Sequence, residues 1–295
     1  MFKLHLLNRF GFFLLFFFMS LAQAQDLEQI SIQFKWFHQF QFAGYYAAKE
    51  QGFFAEEGLD VDLLEYVANS DPVKEVVGGR ATYGISDAGL LLTHYNKEPV
   101  VLVGQIFQHS PVVILALQKS GLRTPYDLEG RSVMTYLQGQ GDASLKAMVL
   151  QALGSQDRVD WREHTYRFED VIEGKVDAML AYSTNEPYWF HEQGAEASVI
   201  DPRDYGIDFY GDNIFTSETE AKDHPERVEK VLRAVIKGWQ YALDHPDEII
   251  DLILAKYDTQ HKSRPHLEFE ARQTAELVDT RTFELGHYES SRYRK

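Results

Sequence analysis

The 295-residue chain contains no cysteine. Without thiols it can form no disulfide, thiolate metal site or iron–sulfur cluster, and it has no cysteine nucleophile or lipid-modified cysteine anchor. Basic residues are also scarce, because 29 lysines and arginines stand against 45 aspartates and glutamates, for a net charge of −16. With no basic run, nucleic acid and anionic membranes are poor partners. The 44% of hydrophobic residues is still enough to build a sizeable core.

Long apolar runs are equally rare. Lys3 and Arg9 lead into an apolar run from Phe10 to Leu21, and Ala22-Gln23-Ala24 follows with the small residues of a cleavage site. The run is shorter than the ~20 residues that a membrane-spanning helix needs. We predict that residues 1–24 are a secretory signal peptide cleaved after Ala24, which places the protein in the periplasm. The alternative is an uncleaved membrane anchor.

Short strand patterns alternate with helical patterns along the rest of the chain. Strands are predicted at 30–36, 61–66, 81–85, 100–106, 112–117, 132–135, 176–181 and 198–200. Helices are predicted at 43–51, from Pro72 with Asp71 as its N-cap, and at 88–96, 142–153, 168–173 and 186–193. Residues 214–216 are expected to return to the first sheet, and 225–257 and 268–277 are helical. This order favours parallel strands joined by crossover helices.

The element order predicts an α/β protein with two lobes around a cleft, mostly parallel sheets flanked by helices, and a helical C-terminal tail. We expect residues 25–110 and 209–295 to form the first lobe, and 111–208 the second. The chain would cross between them near Gln108–Ser110 and Phe209–Gly211. Ligands of open α/β sheets bind in the crevice beyond the carboxyl ends of the strands.

Motifs for catalysis or cofactor binding are incomplete. The segment Gly84 to Gly89 resembles a nucleophile elbow but has one residue too many after Ser86, so it is interpreted as a strand-to-helix loop. Gly139-Gln140-Gly141 opens a helix like a dinucleotide-binding loop, yet the third glycine is missing. Its N–H groups either contact a ligand or form a plain turn.

The eleven histidines do not have the spacing of zinc ligands. His261 and His266, five residues apart beside a lysine and a proline, are expected to be solvated. We predict no catalytic residue, no metal and no cofactor.

Several motifs carry a family resemblance. They are Phe-Lys-Trp-Phe-His-Gln-Phe-Gln-Phe-Ala-Gly-Tyr-Tyr-Ala-Ala at 34–48, Gly-Phe-Phe-Ala-Glu-Glu-Gly-Leu-Asp-Val at 52–61, Gly-Ile-Ser-Asp at 84–87, Ser-Thr-Asn-Glu-Pro-Tyr at 183–188 and Tyr-Gly-Asp-Asn-Ile-Phe-Thr at 210–216. Together they cover most of residues 30–285. With them the chain resembles periplasmic substrate-binding proteins of the thiamine pyrimidine synthase-like type, whose relatives serve importers of thiamine pyrimidine precursors, alkanesulfonates and taurine. The resemblance implies the two-lobed periplasmic binding protein fold (type II).

The same resemblance includes an enzyme, the eukaryotic thiamine pyrimidine synthase, which consumes its own histidine and a pyridoxal phosphate held on a lysine. In this chain Ser86 stands where that lysine aligns and Leu90 where the histidine aligns. Without the amine no Schiff base forms, and without the imidazole no ring atoms are donated. A synthase-like enzyme is therefore the least favoured function.

Aromatic residues follow the strands at positions where loops would meet the cleft. Trp36, Phe40 and Tyr45 come after the first strand, Tyr136 and Tyr182 follow strands of the second unit, and Tyr210 lies at a crossing. Such rings would hold a planar ligand by offset stacking. The alternative is that several of them belong to the core.

Polar candidates accompany the aromatic ones. The resemblance favours Glu186 as the acceptor for an aminopyrimidine amine, and the alternative is a carboxylate that stabilises the start of a helix. Carboxylates and amides, rather than cations, favour a neutral or cationic heterocycle over a sulfonate. The complete predicted ligand-binding set is Trp36, Phe40, Gln41, Tyr45, Asp87, Tyr136, Gly139, Gln140, Gly141, Tyr182, Asn185, Glu186, Tyr210 and Asp212.

We therefore expect a secreted, monomeric solute-binding protein. It would capture a small heterocycle, a thiamine pyrimidine precursor, and deliver it to an ABC-transporter permease in the inner membrane. The first alternative is a ligand-sensing module of a signalling system, and the second is the synthase-like enzyme. By the family resemblance, residues 284–295 look like part of a continuing C-terminal helix, so the chain is expected to be truncated within that helix.

Overall fold

A computed structural model describes residues 27–67, 70–137 and 141–293. The predicted signal peptide with its cleavage site, and the loop residues Gly139 and Gln140, lie outside the described residues. Within these ranges, no helix is both long enough and apolar enough to cross a membrane.

The described residues contain ten strands in two five-stranded sheets. In chain order they are β1 (Glu28–Gln33), β2 (Leu59–Leu64), β3 (Tyr83–Ser86), β4 (Val100–Gln105), β5 (Val112–Leu117), β6 (Ser132–Thr135), β7 (Asp160–Glu163), β8 (Ala178–Tyr182), β9 (Ala197–Ile200) and β10 (Asn213–Ser217). The first sheet has the order β2-β1-β3-β10-β4 and the second β7-β6-β8-β5-β9. Each is mixed: β1 pairs in parallel with β2 and β3, whereas β10 runs antiparallel to β3 and β4.

Eleven α-helices of the described chain flank these sheets. They are α1 (Ala43–Glu50), α2 (Phe53–Glu56), α3 (Pro72–Val77), α4 (Leu90–Tyr95), α5 (Ala143–Leu153), α6 (Glu169–Ile172), α7 (Glu186–Glu192), α8 (Glu218–Asp223), α9 (Pro225–Asp244), α10 (Pro246–Lys256) and α11 (Arg264–Val278). Short 3-10 helices occur at Phe40–Phe42, Gln118–Ser120, Pro125–Leu128, Gln156–Arg158, Pro202–Tyr205 and Ser290–Tyr293. We call the first sheet with α1–α4 and α8–α11 the first lobe, and the second sheet with α5–α7 the second lobe.

The strand β5 shows how sequence pattern becomes a buried strand. All six of its residues are apolar and buried. Val112 and Ile114 pack into a cluster on one face of the sheet, and Val113 and Leu115 into a cluster on the other. Because side chains alternate across a strand, a continuous apolar run is what a strand covered on both faces requires.

Two glycines allow α1 and α9 to cross in close contact. A Cβ at Gly44 would lie 2.2 Å from the Trp239 ring, and one at Gly238 would lie 2.1 Å from the Gly44 carbonyl oxygen. Trp239 is fully buried in the same core cluster. The helical tail therefore packs directly beneath the segment that follows β1.

The chain passes between the lobes at 106–111 and again at 201–212, ranges that include both predicted crossing positions. The two connections touch, since the Gly211 N–H donates to the Phe107 carbonyl at 3.0 Å and those of Ile106 and Phe107 donate to the Asp212 carbonyl. Such a paired connection can act as a hinge.

The predicted α-helices and strands agree with the structure with three omissions and one correction. The omitted elements are α2, β7 and α8, which have only four to six residues each. The N-cap of α3 is confirmed, because the Asp71 carboxylate accepts from the Val73 N–H at 3.0 Å. Residues 284–289 do not continue a helix: Gly286 pairs with Gln105 at the edge of the first sheet instead.

Candidate functional site

A cavity of about 470 Å³ lies between the two lobes. Eight of the fourteen predicted ligand-binding residues line it, namely Trp36, Gln41, Asp87, Tyr136, Gly141, Tyr182, Asn185 and Glu186. Both lobes contribute, because Trp36 follows β1 in the first lobe and Tyr182 ends β8 in the second. The structure thus brings together residues that are up to 150 positions apart in the chain.

One wall of the cavity is aromatic. Tyr66 of the first lobe and Tyr166 of the second both stack on the Trp36 indole, each with ring centroids 5.5 Å apart and planes inclined by 28°. A third ring between two others needs a separation of about 7 Å, twice the ~3.5 Å contact distance. A ligand ring that inserts between Trp36 and Tyr166 therefore requires these two side chains to move apart.

Tyr166 is held in an unusual backbone conformation. Its φ is +61°, which non-glycine residues rarely adopt, and its side chain is 55% exposed. The His164 side chain supports this turn, since its Nδ1 accepts from the Tyr166 N–H and its Nε2 donates to the Leu180 carbonyl, both at 2.9 Å. Burial lowers the pKa of His164 and favours this neutral tautomer. Tyr136 completes the cluster at 5.1 Å from the His164 ring.

Hydrogen bonds between side chains connect two ion pairs at the polar side of the cavity. Lys35 faces Asp212 at 2.6 Å, and Asp212 accepts from Gln41 at 2.6 Å. Gln41 accepts in turn from Gln39 at 2.6 Å, and Gln39 accepts from Lys262 at 2.7 Å. Lys262 also forms an ion pair with Glu270. Each of these four charges is thus paired, and the side-chain amides of Gln41 and Gln39 link the two ion pairs.

Lys35 is a cation of the site that was not among the predicted ligand-binding residues. Burial alone would lower the pKa of its ammonium group, but Asp212 and Asp87 together hold that pKa well above its ordinary value. Asp87 lies 3.8 Å away, and the ammonium lies 5.3 Å from the centre of the Tyr182 ring. The carboxylates of Asp212, Asp87 and Glu186 outnumber this one lysine, so the region keeps an excess of negative charge.

Glu186 is the first residue of α7 and turns its carboxylate back toward the end of β8. One oxygen accepts from the Tyr182 N–H and the other from the Asn185 side-chain amide, each at 2.7 Å. Burial raises the pKa of Glu186, while these donors and Lys262 oppose the rise. Each carboxylate oxygen has more than one lone pair, so Glu186 can accept further hydrogen bonds on the cavity side.

Four predicted residues do not line the cavity. Phe40 and Tyr45 are buried in the first-lobe core, where Tyr45 packs on Phe34 and Trp239. Tyr210 is 3% exposed, and the Arg292 guanidinium lies 3.9 Å above its ring. Asp212 does not line the cavity itself, but it forms an ion pair with Lys35, which does. Phe40, Tyr45 and Tyr210 thus follow the alternative that several of the aromatic residues belong to the core.

Eleven residues of the cavity wall were not predicted from the sequence. They are Lys35, Gln39, Tyr66, His164, Tyr166, Phe168, Trp189 and Gln260, together with Met179, Leu180 and Ala181 of β8. Lys35 and Gln39 lie inside the motif at 34–48, which was the available signal for them. Tyr166 and Gln260 lie in segments without any predicted strand or motif.

His266 is a second correction. It is 0% exposed rather than solvated, whereas the side chain of His261 is 90% exposed. Among the residues that the structure describes, no cluster of histidine, aspartate and glutamate side chains could hold a metal ion.

Comparisons with known proteins agree with this architecture. A sequence model of the family described as NMT1/THI5 like matches residues 39–249. The chain is 26% identical over 238 residues to a formylaminopyrimidine-binding protein of Halalkalibacterium halodurans, covering 79% of this chain and 72% of the relative. It is 29% identical over 237 residues to the riboflavin-binding protein RibY of Chloroflexus aurantiacus, covering 77% and 66%.

A solved structure is similar over nearly the whole chain. The alkanesulfonate-binding protein SsuA from Xanthomonas axonopodis pv. citri, bound to MOPS, superposes with a TM-score of 0.70 at 15% identity, covering 92% of this chain and 90% of that one. At this identity the likeness shows the fold alone. The predicted two-lobed periplasmic binding protein fold is confirmed.

Proposed function

Because the chain belongs to the NMT1/THI5-like family, we propose that it is a solute-binding protein that captures an aminopyrimidine-like heterocycle between its two lobes. The cavity volume of about 470 Å³ falls within the ~300–1,000 Å³ that small-molecule sites occupy. The two relatives are named as binding proteins for a formylaminopyrimidine and for riboflavin. Both ligands are nitrogen heterocycles, which supports this ligand class.

The observation that carries this proposal is the acceptor Glu186 beside an aromatic wall. Its carboxylate is oriented by the Tyr182 N–H and the Asn185 amide, and the Tyr182 side chain lines the same cavity. A planar ligand with an exocyclic amine can stack on the aromatic side chains while the amine donates to Glu186. Both interactions are among the strongest that a neutral heterocycle can make.

The charges around the cavity argue against a sulfonate. Lys35 is the one cation that lines it among the described residues, and it already faces Asp212 at 2.6 Å and Asp87 at 3.8 Å. An anion bound there would add to the negative charge of Glu186, Asp87 and Asp212. An amine or ring N–H donor would satisfy Glu186, and a ligand carbonyl could accept from Lys35.

Titration tests the ligand class directly. We expect 4-amino-5-hydroxymethyl-2-methylpyrimidine to bind with measurable heat and to change the tryptophan fluorescence through Trp36 and Trp189, which both line the cavity. Taurine at the same concentration should give neither signal. Binding of taurine without binding of the aminopyrimidine would refute the proposal.

The proposal includes export and delivery. The signal-peptide pattern of residues 1–24 supports a periplasmic location, and the fold supports delivery to an ABC-transporter permease of the inner membrane. A role as catalyst is not proposed, because Leu90 is buried at the start of α4 and Ser86 offers no amine for a Schiff base. Tagging the protein and fractionating the cells should place it in the periplasmic extract as a monomer.

A further inference from the structure

A buried polar cluster joins the two lobes beside the cavity. The side-chain oxygen of Asn185, in the second lobe, lies 2.8 Å from the Lys262 ammonium and 2.9 Å from His266 Nε2. Lys262 lies two residues before α11 and His266 lies within it, so both belong to the first lobe. All three side chains are at most 5% exposed. One second-lobe amide therefore accepts from two first-lobe donors.

His266 also inserts into an aromatic slot of the opposite lobe. Its ring stacks on Tyr188 at 4.4 Å with planes inclined by 22°, and meets Trp189 edge-on at 4.6 Å and 84°. Both aromatic residues lie on α7, directly after Asn185 and Glu186. The slot and the hydrogen bond together fix the position of α7 against α11.

We propose that Asn185, Lys262 and His266 form a latch that holds the lobes closed and orients Glu186 toward the ligand. Lys262 and His266 are thus positioning residues that act on the ligand through Asn185. The effect on ligand binding rests on the proposed function, whereas the effect on lobe closure does not.

The orientation of the Asn185 amide follows from its partners. Because Lys262 and His266 Nε2 both donate to the side-chain oxygen, the side-chain nitrogen must face the other way, where it donates to Glu186 at 2.7 Å. Opening of the cleft removes the two donors and frees the amide to turn. Glu186 would then lose one of the two hydrogen bonds that orient its carboxylate.

The latch can open without leaving an unpaired charge. Lys262 keeps Glu270 and the Gln39 side-chain oxygen as acceptors within the first lobe, and Glu270 also accepts from the Phe40 N–H at 2.9 Å. Opening therefore breaks the hydrogen bonds to Asn185 but leaves the ion pair intact. A contact of this kind can form and break repeatedly during binding and release.

Spin labels can report closure directly, because the chain has no cysteine of its own. Cysteines at exposed Asp62 of β2 and Arg167 beside Tyr166 would carry the only labels, one on each lobe. We expect a short, narrow distance distribution in the otherwise unchanged protein without any ligand. Asn185→Ala and Lys262→Met should lengthen or broaden it.

Stopped-flow release of 4-amino-5-hydroxymethyl-2-methylpyrimidine provides the second measurement. Asn185→Ala and Lys262→Met should raise the dissociation rate at least tenfold, whereas Lys262→Arg, which keeps the cation, should restore most of the difference. Lys256→Met is the matched control, since Lys256 pairs with Glu50 within the first lobe. Asn185→Ala leaves the Lys262–Glu270 pair in place, so it remains informative if Lys262→Met fails to fold.

The outcomes separate the two proposals. Unchanged distances and unchanged release in both Asn185→Ala and Lys262→Met would overturn the latch. If the unchanged protein does not bind the aminopyrimidine but the variants still lengthen the interlobe distance, the proposed function fails and the latch is supported.

The pH dependence of ligand release tests the latch further, because a purely packing role of His266 would not depend on its protonation. Burial, and then Lys262, lowers the pKa of His266 to about 3. The groups that face its ring are Lys262 and Glu270 from the first lobe and Asn185, Tyr188 and Trp189 from the second. Its Nδ1 is buried without a hydrogen-bond partner, so protonation there would bury an unpaired N–H near a lysine.

The sign of the pH effect follows from this shift. Burial is the main cause of the shift, so opening of the cleft moves the pKa of His266 back toward its ordinary value of ~6.5. The open form therefore gains a proton more readily than the closed form as the pH falls. The closed form is therefore lost as the pH falls, and release should be faster at pH 5.5 than at pH 7.5. His266→Gln keeps a donor and should remove this dependence. An identical pH profile in both proteins would exclude His266 from the latch.

Discussion

Glu186→Gln tests the predicted ligand contact most directly. The substitution keeps the shape of the side chain but replaces one acceptor oxygen by a donor amide. In the structure the two carboxylate oxygens accept from the Tyr182 N–H and the Asn185 amide at 2.7 Å each. A glutamine can satisfy only one of these donors, and it presents less acceptor capacity to a ligand amine.

The size of the effect follows from the kind of hydrogen bond that is lost. A charge-assisted hydrogen bond contributes about 1.5–3 kcal/mol. Since 1.4 kcal/mol corresponds to a factor of ten, binding of the aminopyrimidine should weaken by about 10- to 100-fold. Stability should also fall, because the Asn185 amide cannot turn while Lys262 and His266 hold its oxygen. An unpaired buried donor costs about 1–3 kcal/mol. This cost is offset in part, because Glu186→Gln also removes a charge that burial disfavours.

Calorimetric titration and thermal melting measure the two effects separately. A loss of about 1 kcal/mol lowers the melting temperature by about 2–4 °C in a chain of this size class. Glu192→Gln is the matched control, because Glu192 is the last residue of the same helix and is exposed. It should change neither affinity nor melting temperature measurably.

Two results would refute this reasoning. Unchanged aminopyrimidine affinity in Glu186→Gln would show that Glu186 is only a charge at the start of α7. Tighter binding of taurine by the variant would show that the site is built for an anion, because removal of a negative charge would then favour the ligand.

Three further predictions concern stacking, closure and packing. Trp36→Ala should weaken aminopyrimidine binding by about 1–3 kcal/mol in titrations, and native affinity in a folded variant would assign Trp36 to packing against Tyr66 and Tyr166 alone. In small-angle X-ray scattering, Asn185→Ala, which lacks the latch, should have a smaller radius of gyration at saturating aminopyrimidine than without ligand, and an unchanged profile would argue against a hinged clamp. Gly44→Ala should cost at least about 3 kcal/mol in denaturant unfolding, because the added methyl would lie 2.2 Å from the buried Trp239 ring, and a loss below 1 kcal/mol would mean that α1 and α9 separate easily.

Local sequence patterns predicted most of the helices and strands. The strand β5 and the strand β6 have the bounds that their apolar runs predicted, and Asp71-Pro72 marks the beginning of α3. The missed β7 has four residues with the sequence Asp-Trp-Arg-Glu, and only its parallel pairing with β6 makes it a strand. Edge strands of this kind depend on a neighbour rather than on their own composition.

The aromatic motif shows the limit of reasoning by position along the chain. Trp36, Phe40 and Tyr45 all follow β1, but only Trp36 reaches the cavity. Phe40 and Tyr45 lie where α9 and α11 cover the start of α1, and that covering comes from residues about 200 positions later. A pattern read within one segment carries no information about such packing.

The sequence by itself determined the α/β order, the family resemblance, the return of residues 214–216 to the first sheet and the position of Glu186 at the start of a helix. These features depend on side-chain periodicity, caps and motifs, which are local properties of the chain. Tertiary structure alone decided that Lys35 faces Asp212, that Tyr166 covers Trp36 and that His266 is buried against Asn185. Each of these contacts joins segments more than 75 residues apart, and its free energy depends on burial and distance, which exist only after the lobes have folded and met.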